Sequence, residues 1–132
     1  MEVVIDASVL IAVITNEDEK EKLVALTTDA ELIAPLSVHW DIGNAFSSLL
    51  KRKRVTLKEA LQAIDIYLQI PVRFVEVELT ESLELASELD LYAYDAYLLQ
   101  CALKYRLPLL TLDHRLTLAA KEKRIQVLEV EE

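Results

Sequence analysis

One glycine, one cysteine, two histidines and three prolines are spread over 132 residues, and each scarcity excludes something. A lone glycine, Gly43, cannot build a P-loop or a dinucleotide fingerprint, because both need several glycines to bring backbone amides against phosphate. His39, His114 and Cys101 are too few for a structural zinc site or a paired-histidine zinc motif, so any metal must be held by oxygen. A single cysteine forms no internal disulfide and gives no sign of an oxidising compartment. The longest uninterrupted apolar run is Val9 to Ile14, far short of the roughly 20 residues of a membrane helix, so no membrane contact is expected. Residue 2 is Glu, and no basic flank or cleavage site opens the chain, which reads as cytoplasmic.

Charge is also one-sided. Against 14 basic residues stand 23 acidic ones, a net charge of −9, and that argues against holding nucleic acid by a broad basic face. A nuclease is not excluded, because divalent cations on a carboxylate cluster can supply the positive charge locally. With 53% hydrophobic and 28% charged residues, the composition suits one folded domain spanning residues 1–132.

Hydrophobic patterning predicts alternating short strands and helices. Strands are expected at Glu2 to Ile5, Glu31 to Ala34, Val72 to Val77, Leu109 to Leu112 and Gln126 to Val130. Between them, Asp6 precedes a helix-like patch from Val9 to Ile14, and Asn16 with Glu19 suggests a capping box for a helix to about Thr28 with Leu23, Ala25 and Leu26 inward. Further helices are expected from Ser37 to Arg54, from a Thr56/Glu59 capping box to Pro71, from Thr80 to Leu89, from Asp95 to Tyr105 and from His114 to Lys123. In the helix after Thr56, Leu57, Ala60, Leu61, Ile64 and Leu68 form one apolar stripe that should pack hard. The βαβα alternation implies an α/β protein, a three-layer α/β/α sandwich with a mostly parallel central sheet. Acidic runs at Glu17 to Glu21 and Glu129 to Glu132 read as solvated faces.

Four acids lie in apolar surroundings: Asp6 after VVI, Asp41 after SVHW, Asp95 within LYAYDAYLL and Asp113 after LLTL. Removing a carboxylate from water without a partner costs several kcal/mol in effect, so each should be hydrogen-bonded, protonated or bound to a cation. Asp6 and Asp113 sit where expected strands end, and Asp41 and Asp95 near the starts of helices at the same sheet edge, where ligands gather in parallel α/β folds. Asp is equally a favoured N-cap, and Asp6, Asp95 and Asp113 have the right place for that role too. Convergence and capping remain two readings of the same residues.

The segments VIDASVLIAVI (Val4 to Ile14), APLSVHWDIGNAF (Ala34 to Phe46), YDAYLLQCAL (Tyr94 to Leu103) and LLTLDHRL (Leu109 to Leu116) resemble, in order, the four motif blocks of PIN-domain ribonucleases, particularly the small VapC-type toxins of type II toxin–antitoxin systems. The resemblance spans nearly the whole chain. It implies a metal-dependent endoribonuclease that uses Mg²⁺ or Mn²⁺, with Asp6, Asp41, Asp95 and Asp113 as catalytic residues. Asp6, Asp95 and Asp113 would be metal ligands, and Ser8, Asn44 and Thr111 supporting groups. It also implies an RNA substrate, a cognate antitoxin protein and a homodimer, for which the Thr56 to Ile70 stripe is a candidate contact with core packing as its alternative. At position 41 the chain departs from the family, which usually places Glu three residues before Asn; Asp41 keeps the charge but is one methylene shorter.

The residue types fit phosphodiester hydrolysis in their own right, since hard cations on carboxylates activate water and stabilise developing charge. Asp41, Asn44, Ser48 and then Lys51 or Arg52 share one helix face. Lys51 and Arg52, within KRKR, and Arg115 are weaker candidates for substrate phosphate, and a solvated helix end is the alternative. His39 reads as a packed, hydrogen-bonded histidine, His114 as exposed and Cys101 as a buried inert thiol. Tyr92, Tyr94 and Tyr97 read as core and rim packing, with base stacking as the other possibility.

Two further functions compete. One is a catalytically weak PIN-like module that binds RNA or protein, with Asp41 as the sign of lost catalysis. The other is a phosphotransfer domain with Asp6 as acceptor; that chemistry usually wants a second Asp two residues on, where this chain has Ser8.

Overall fold

In the computed structural model, residues 1–15 and 20–129 are described. The elements run β1 (Glu2–Ile5), α1 (Ala7–Ile14), α2 (Lys20–Thr27), β2 (Glu31–Pro35), α3 (Ser37–Lys51), α4 (Leu57–Leu68), β3 (Val72–Val75), α5 (Leu79–Leu89), α6 (Ala93–Tyr105), β4 (Leu109–Leu110) and α7 (His114–Glu122). The four strands form one all-parallel sheet in the order β3-β2-β1-β4, within an α/β/α fold. A strand inside such a sheet is covered on both faces, and Val3, Val4 and Ile5 of β1 are accordingly wholly buried. Val4 pairs with Ile33 on one side and Leu109 on the other, and Ile5 pairs with Leu110.

That order positions everything that follows. From β1 the chain steps outward to β2 and β3, then returns to place β4 on the opposite flank of β1. The reversal leaves a crevice at the carboxyl ends of β1 and β4, the switch point where open parallel sheets bind ligands. The residues just beyond the Ile5–Leu110 pair are Asp6 and Thr111.

Several sequence expectations need correction. The strand expected at Gln126 to Val130 reduces to one parallel bridge, Leu109 to Val127, with Val130 outside the described residues. Leu109 N donates to Gln126 O and Leu128 N to Leu109 O, both at 2.9 Å, so pairing is confined to one residue of a two-residue edge strand. β3 stops at Val75, and α3 stops at Lys51 rather than Arg54. Asn16 and Glu19 lie outside the described residues, as do parts of the two acidic runs; in α2, Leu23 is buried but Ala25 is exposed.

The apolar stripe of α4 divides. Its inward line is Ala60, Ala63, Ile64 and Tyr67, while Leu57, Leu61 and Leu68 are exposed beside it. Tyr67 takes the place a smaller apolar residue was expected to fill, because its hydroxyl meets Nδ1 of His39 at 2.8 Å and satisfies both polar groups. Phe74 and Trp40 pack their rings against His39, which is therefore the packed histidine its setting suggested. The capping box at Thr56 and Glu59 is present in full, at 2.9 and 3.1 Å.

Helix ends reveal how a chain with one glycine turns. α3, α5, α6 and α7 are each followed by a residue at positive φ, namely Lys53, Asp90, Arg106 and Arg124, at 54 to 58°. Amides just beyond them close the ends: Arg54 N to Leu49 O, Leu91 N to Ala86 O, Leu107 N to Ala102 O and Ile125 N to Ala120 O. Glycine usually fills this position; here charged side chains bear the left-handed conformation.

Candidate active site

Asp6 is the anchor of the crevice. It is only 6% exposed, caps α1 through a bond from Val9 N to Oδ1 at 3.3 Å, and also accepts at Oδ1 from the Ser8 hydroxyl at 2.6 Å. Its Oδ2 accepts from the Thr111 hydroxyl. Each hydroxyl then accepts an amide of the loop after β4: Leu112 N reaches Ser8 Oγ at 3.1 Å, and Asp113 N reaches Thr111 Oγ1 at 3.0 Å. Two hydroxyls thus bind the carboxylate and the β4–α7 loop into one unit. Burial raises the Asp6 carboxyl above its usual range, the three hydrogen bonds pull against that, and Asp113 adds to the rise.

Asp113 caps α7, its Oδ1 accepting from Arg115 N at 2.9 Å and Leu116 N at 3.3 Å. Capping and convergence are therefore not exclusive: Asp6 and Asp113 do both. Asp95 does not cap. α6 begins two residues earlier, with Tyr92 at the N-cap, so Asp95 stands in the first turn. The side chains of Asp95 and Asp41 are half-buried and make no hydrogen bond or ion pair among the described residues. Burial raises Asp95, and Asp113 raises it further; Arg115 opposes the rise and Asp41 adds to it. Burial alone raises Asp41. Four acids from four separate segments thus share one electrostatic neighbourhood.

The supporting positions separate into two groups. Ser8 and Thr111 are bonded into the site. Asn44, Ser48 and Lys51 lie on exposed parts of α3 and Arg52 caps its end, and none of them bonds to the four acids. Arg115, exposed in the first turn of α7, is the cation that acts on Asp95. Sequence reading missed the amides of Leu112 and Asp113, which no side-chain pattern announces, and the exposure of Tyr92, which is 80% accessible rather than packed. His114 is exposed, and Cys101 is buried with its thiol pushed up to about 12, which leaves it inert.

The donor set fits a hard divalent cation. Carboxylate oxygens without protein partners on Asp41 and Asp95 face like charges, and a cation relieves both costs. Among the described residues, no three His, Cys, Asp or Glu side chains draw close enough together to enclose an ion by themselves.

A four-stranded parallel sheet flanked by helices, with Asp6 and Thr111 just beyond its central strand pair, defines a class, and the sequence supplies its name. Residues 3–122 match the PIN domain, and the chain belongs to that family. Among solved structures it is similar to PAE2754 from Pyrobaculum aerophilum, with a TM-score of 0.75 and 24% identity over 98% of this chain and 91% of that one. It is also similar to VapBC2 from Rickettsia felis, solved bound to a DNA fragment from its promoter, with a TM-score of 0.66 and 18% identity over 98% of both chains. A third is VapC20 of Mycobacterium tuberculosis, a sarcin-ricin loop cleaving toxin, with a TM-score of 0.62 and 16% identity over 89% of this chain and 94% of that one. No curated protein matches it in sequence. Among the described residues, no helix is long and apolar enough to cross a membrane.

Proposed function

We propose that this protein is a metal-dependent endoribonuclease of the VapC type, the toxin of a toxin–antitoxin pair, acting in the cytoplasm. The observation that carries the reading is the electrostatic chain of acids from four segments, Asp113 acting on Asp6 and on Asp95 and Asp41 acting on Asp95, with the carboxyls of Asp6, Asp41 and Asp95 raised. Membership of the PIN family and likeness to VapBC2 and VapC20 support it.

Asp95, Asp113 and Asp6 would hold Mg²⁺ or Mn²⁺, with Asp41 contributing directly or through water. When bound, such an ion activates a water and stabilises charge on the scissile phosphate. The chain's own part is to hold the acids still. Ser8 and Thr111 fix the Asp6 carboxylate, and the α7 cap fixes Asp113. Arg115 offers a cation for substrate phosphate at the same mouth, while Lys51 and Arg52 offer others at the end of α3. The exposed Leu57, Leu61 and Leu68 of α4 are an apolar face suited to a homodimer or to the cognate antitoxin.

The test is cleavage of a small-RNA pool with Mg²⁺, Mn²⁺ or EDTA, beside identically prepared Asp95→Asn. Discrete fragments from the parent alone, and only with metal, are expected. The open spacing of the acids and the short Asp41 favour a second reading, an RNA- or protein-binding PIN module of weak catalysis. An uncut pool with a folded, metal-loaded parent would select that alternative.

A further inference from the structure

Beside the four acids lies a cleft of about 310 Å³ lined by Asp90, Leu91, Tyr92 and Arg115. Its walls come from two separate elements. Asp90 to Tyr92 form the link from α5 into α6, turned by the left-handed Asp90, and Arg115 rises from the first turn of α7. The cleft adjoins the acids, for Tyr92 stands three residues before Asp95, Arg115 two after Asp113, and Arg115 acts electrostatically on Asp95.

The two side chains that matter are free to receive a ligand. Tyr92 is 80% exposed and stacks on no other aromatic ring, in contrast to Tyr94 and Tyr97, which meet edge to face at 6.0 Å. Arg115 is exposed and makes no ion pair among the described residues, although this chain carries far more acid than base. A flat aromatic face beside an unpaired guanidinium is the chemistry that takes a nucleotide: the ring stacks a base of any identity, and the cation takes the phosphate.

We infer that this cleft is a subsite for one nucleotide of single-stranded RNA flanking the scissile phosphate, its base on Tyr92 and its phosphate on Arg115. The inference rests on the ribonuclease reading for its substrate but not for its chemistry. Asp90 lines the cleft, and Asp95 and Asp113 stand within electrostatic reach of its edge, so Arg115 is the group that makes a phosphate acceptable there at all. The subsite explains why an exposed tyrosine stands at a helix N-cap that it does not cap through its side chain.

The test is an amide-resolved NMR titration of the whole protein in EDTA with adenosine 5′-monophosphate, adenosine and inorganic phosphate. Shifts centred on residues 90–92 and 115 are expected, with the monophosphate binding more tightly than adenosine or phosphate alone. Tyr92→Ala should weaken the monophosphate about tenfold, the loss of one base stack, and Tyr92→Phe should keep it. Arg115→Ala should reduce the monophosphate to the level of adenosine. Both side chains are exposed, so unchanged spectra elsewhere will show the variants folded. Shifts confined to other surfaces, or equal affinity in the parent and Tyr92→Ala, would overturn the subsite. Neither metal nor cleavage enters this readout. An uncut RNA pool with intact monophosphate binding therefore counts against the nuclease alone, and cleavage without monophosphate binding counts against the subsite alone.

Discussion

The Thr111 hydroxyl donates to Asp6 Oδ2 across 105 positions of sequence, and its own Oγ1 accepts the amide of Asp113. One hydroxyl thereby locks the end of β1 to the end of β4. Thr111→Val keeps the volume but leaves a buried carboxylate oxygen and an amide unpaired, so stability should fall by about 1–3 kcal/mol. Urea unfolding measures it. Ser8→Ala should act in the same way, and a double-mutant cycle should show the two coupled, since both hydroxyls serve one carboxylate.

Apo stability should fall as pH rises. Asp6, Asp41 and Asp95 all have native carboxyls above their ordinary values, so the native state binds more protons than the unfolded chain over that interval. Protonation favours folding below the raised values, and that contribution is lost as pH climbs from about 4, where unfolded Asp titrates, through them. Thermal melts in EDTA across this window check the sign. Glu59 runs the other way: its capping-box bonds lower it, so its contribution is lost as pH falls.

Asp95→Asn removes a like charge from the group. In EDTA it should raise stability slightly, by about 0.5 kcal/mol or less because water screens a half-exposed site. Added Mg²⁺ or Mn²⁺ should raise the melting temperature of the parent and have much less effect on the variant. Equal metal-induced shifts in both proteins would remove Asp95 from the cation site.

Asp41→Glu restores the missing methylene. If reach limits the site, cleavage should rise about tenfold or more, since misplacement by an ångström can cost about 10²-fold. An unchanged rate in a time course on the same RNA would mean that Asp41 already acts through water.

Arg106→Gly tests the glycine-poor helix ends. The left-handed conformation costs a non-glycine residue roughly 1–2 kcal/mol, and the extra freedom of glycine when unfolded offsets about 0.4–1 of it. A net gain of about 0.5 kcal/mol is expected from chemical denaturation.

Much of the fold was legible because parallel strands and their crossover helices write distinct periods into the chain. Glu2 to Ile5 and Glu31 to Ala34 read as strands, and Thr56 with Glu59 announced a helix start that the structure reproduces bond for bond. Edges were not legible. Gln126 to Val130 has strand composition, yet whether it pairs depends on the short β4 beside it. The α4 stripe misled because 3- and 4-residue spacings admit two neighbouring faces, and the His39–Tyr67 hydrogen bond chose between them. At the site, acids in apolar settings stood out from the sequence. The amides of the β4–α7 loop and the accessibility of Tyr92 did not, since both depend on where another segment falls.

The placement of β1 between β2 and β4 also sets a timetable. Asp6 is made before β2 and β3, but the strand that completes its surroundings is made after both. During synthesis the N-terminal strands and helices can pair as they emerge, whereas Asp6 waits for Thr111 and Asp113. A nascent or truncated chain ending before Leu109 has the sheet's first three strands but no assembled acidic crevice. Completion of the sheet therefore serves as a safety catch, keeping the cleft unformed until β4 and the loop after it have been made.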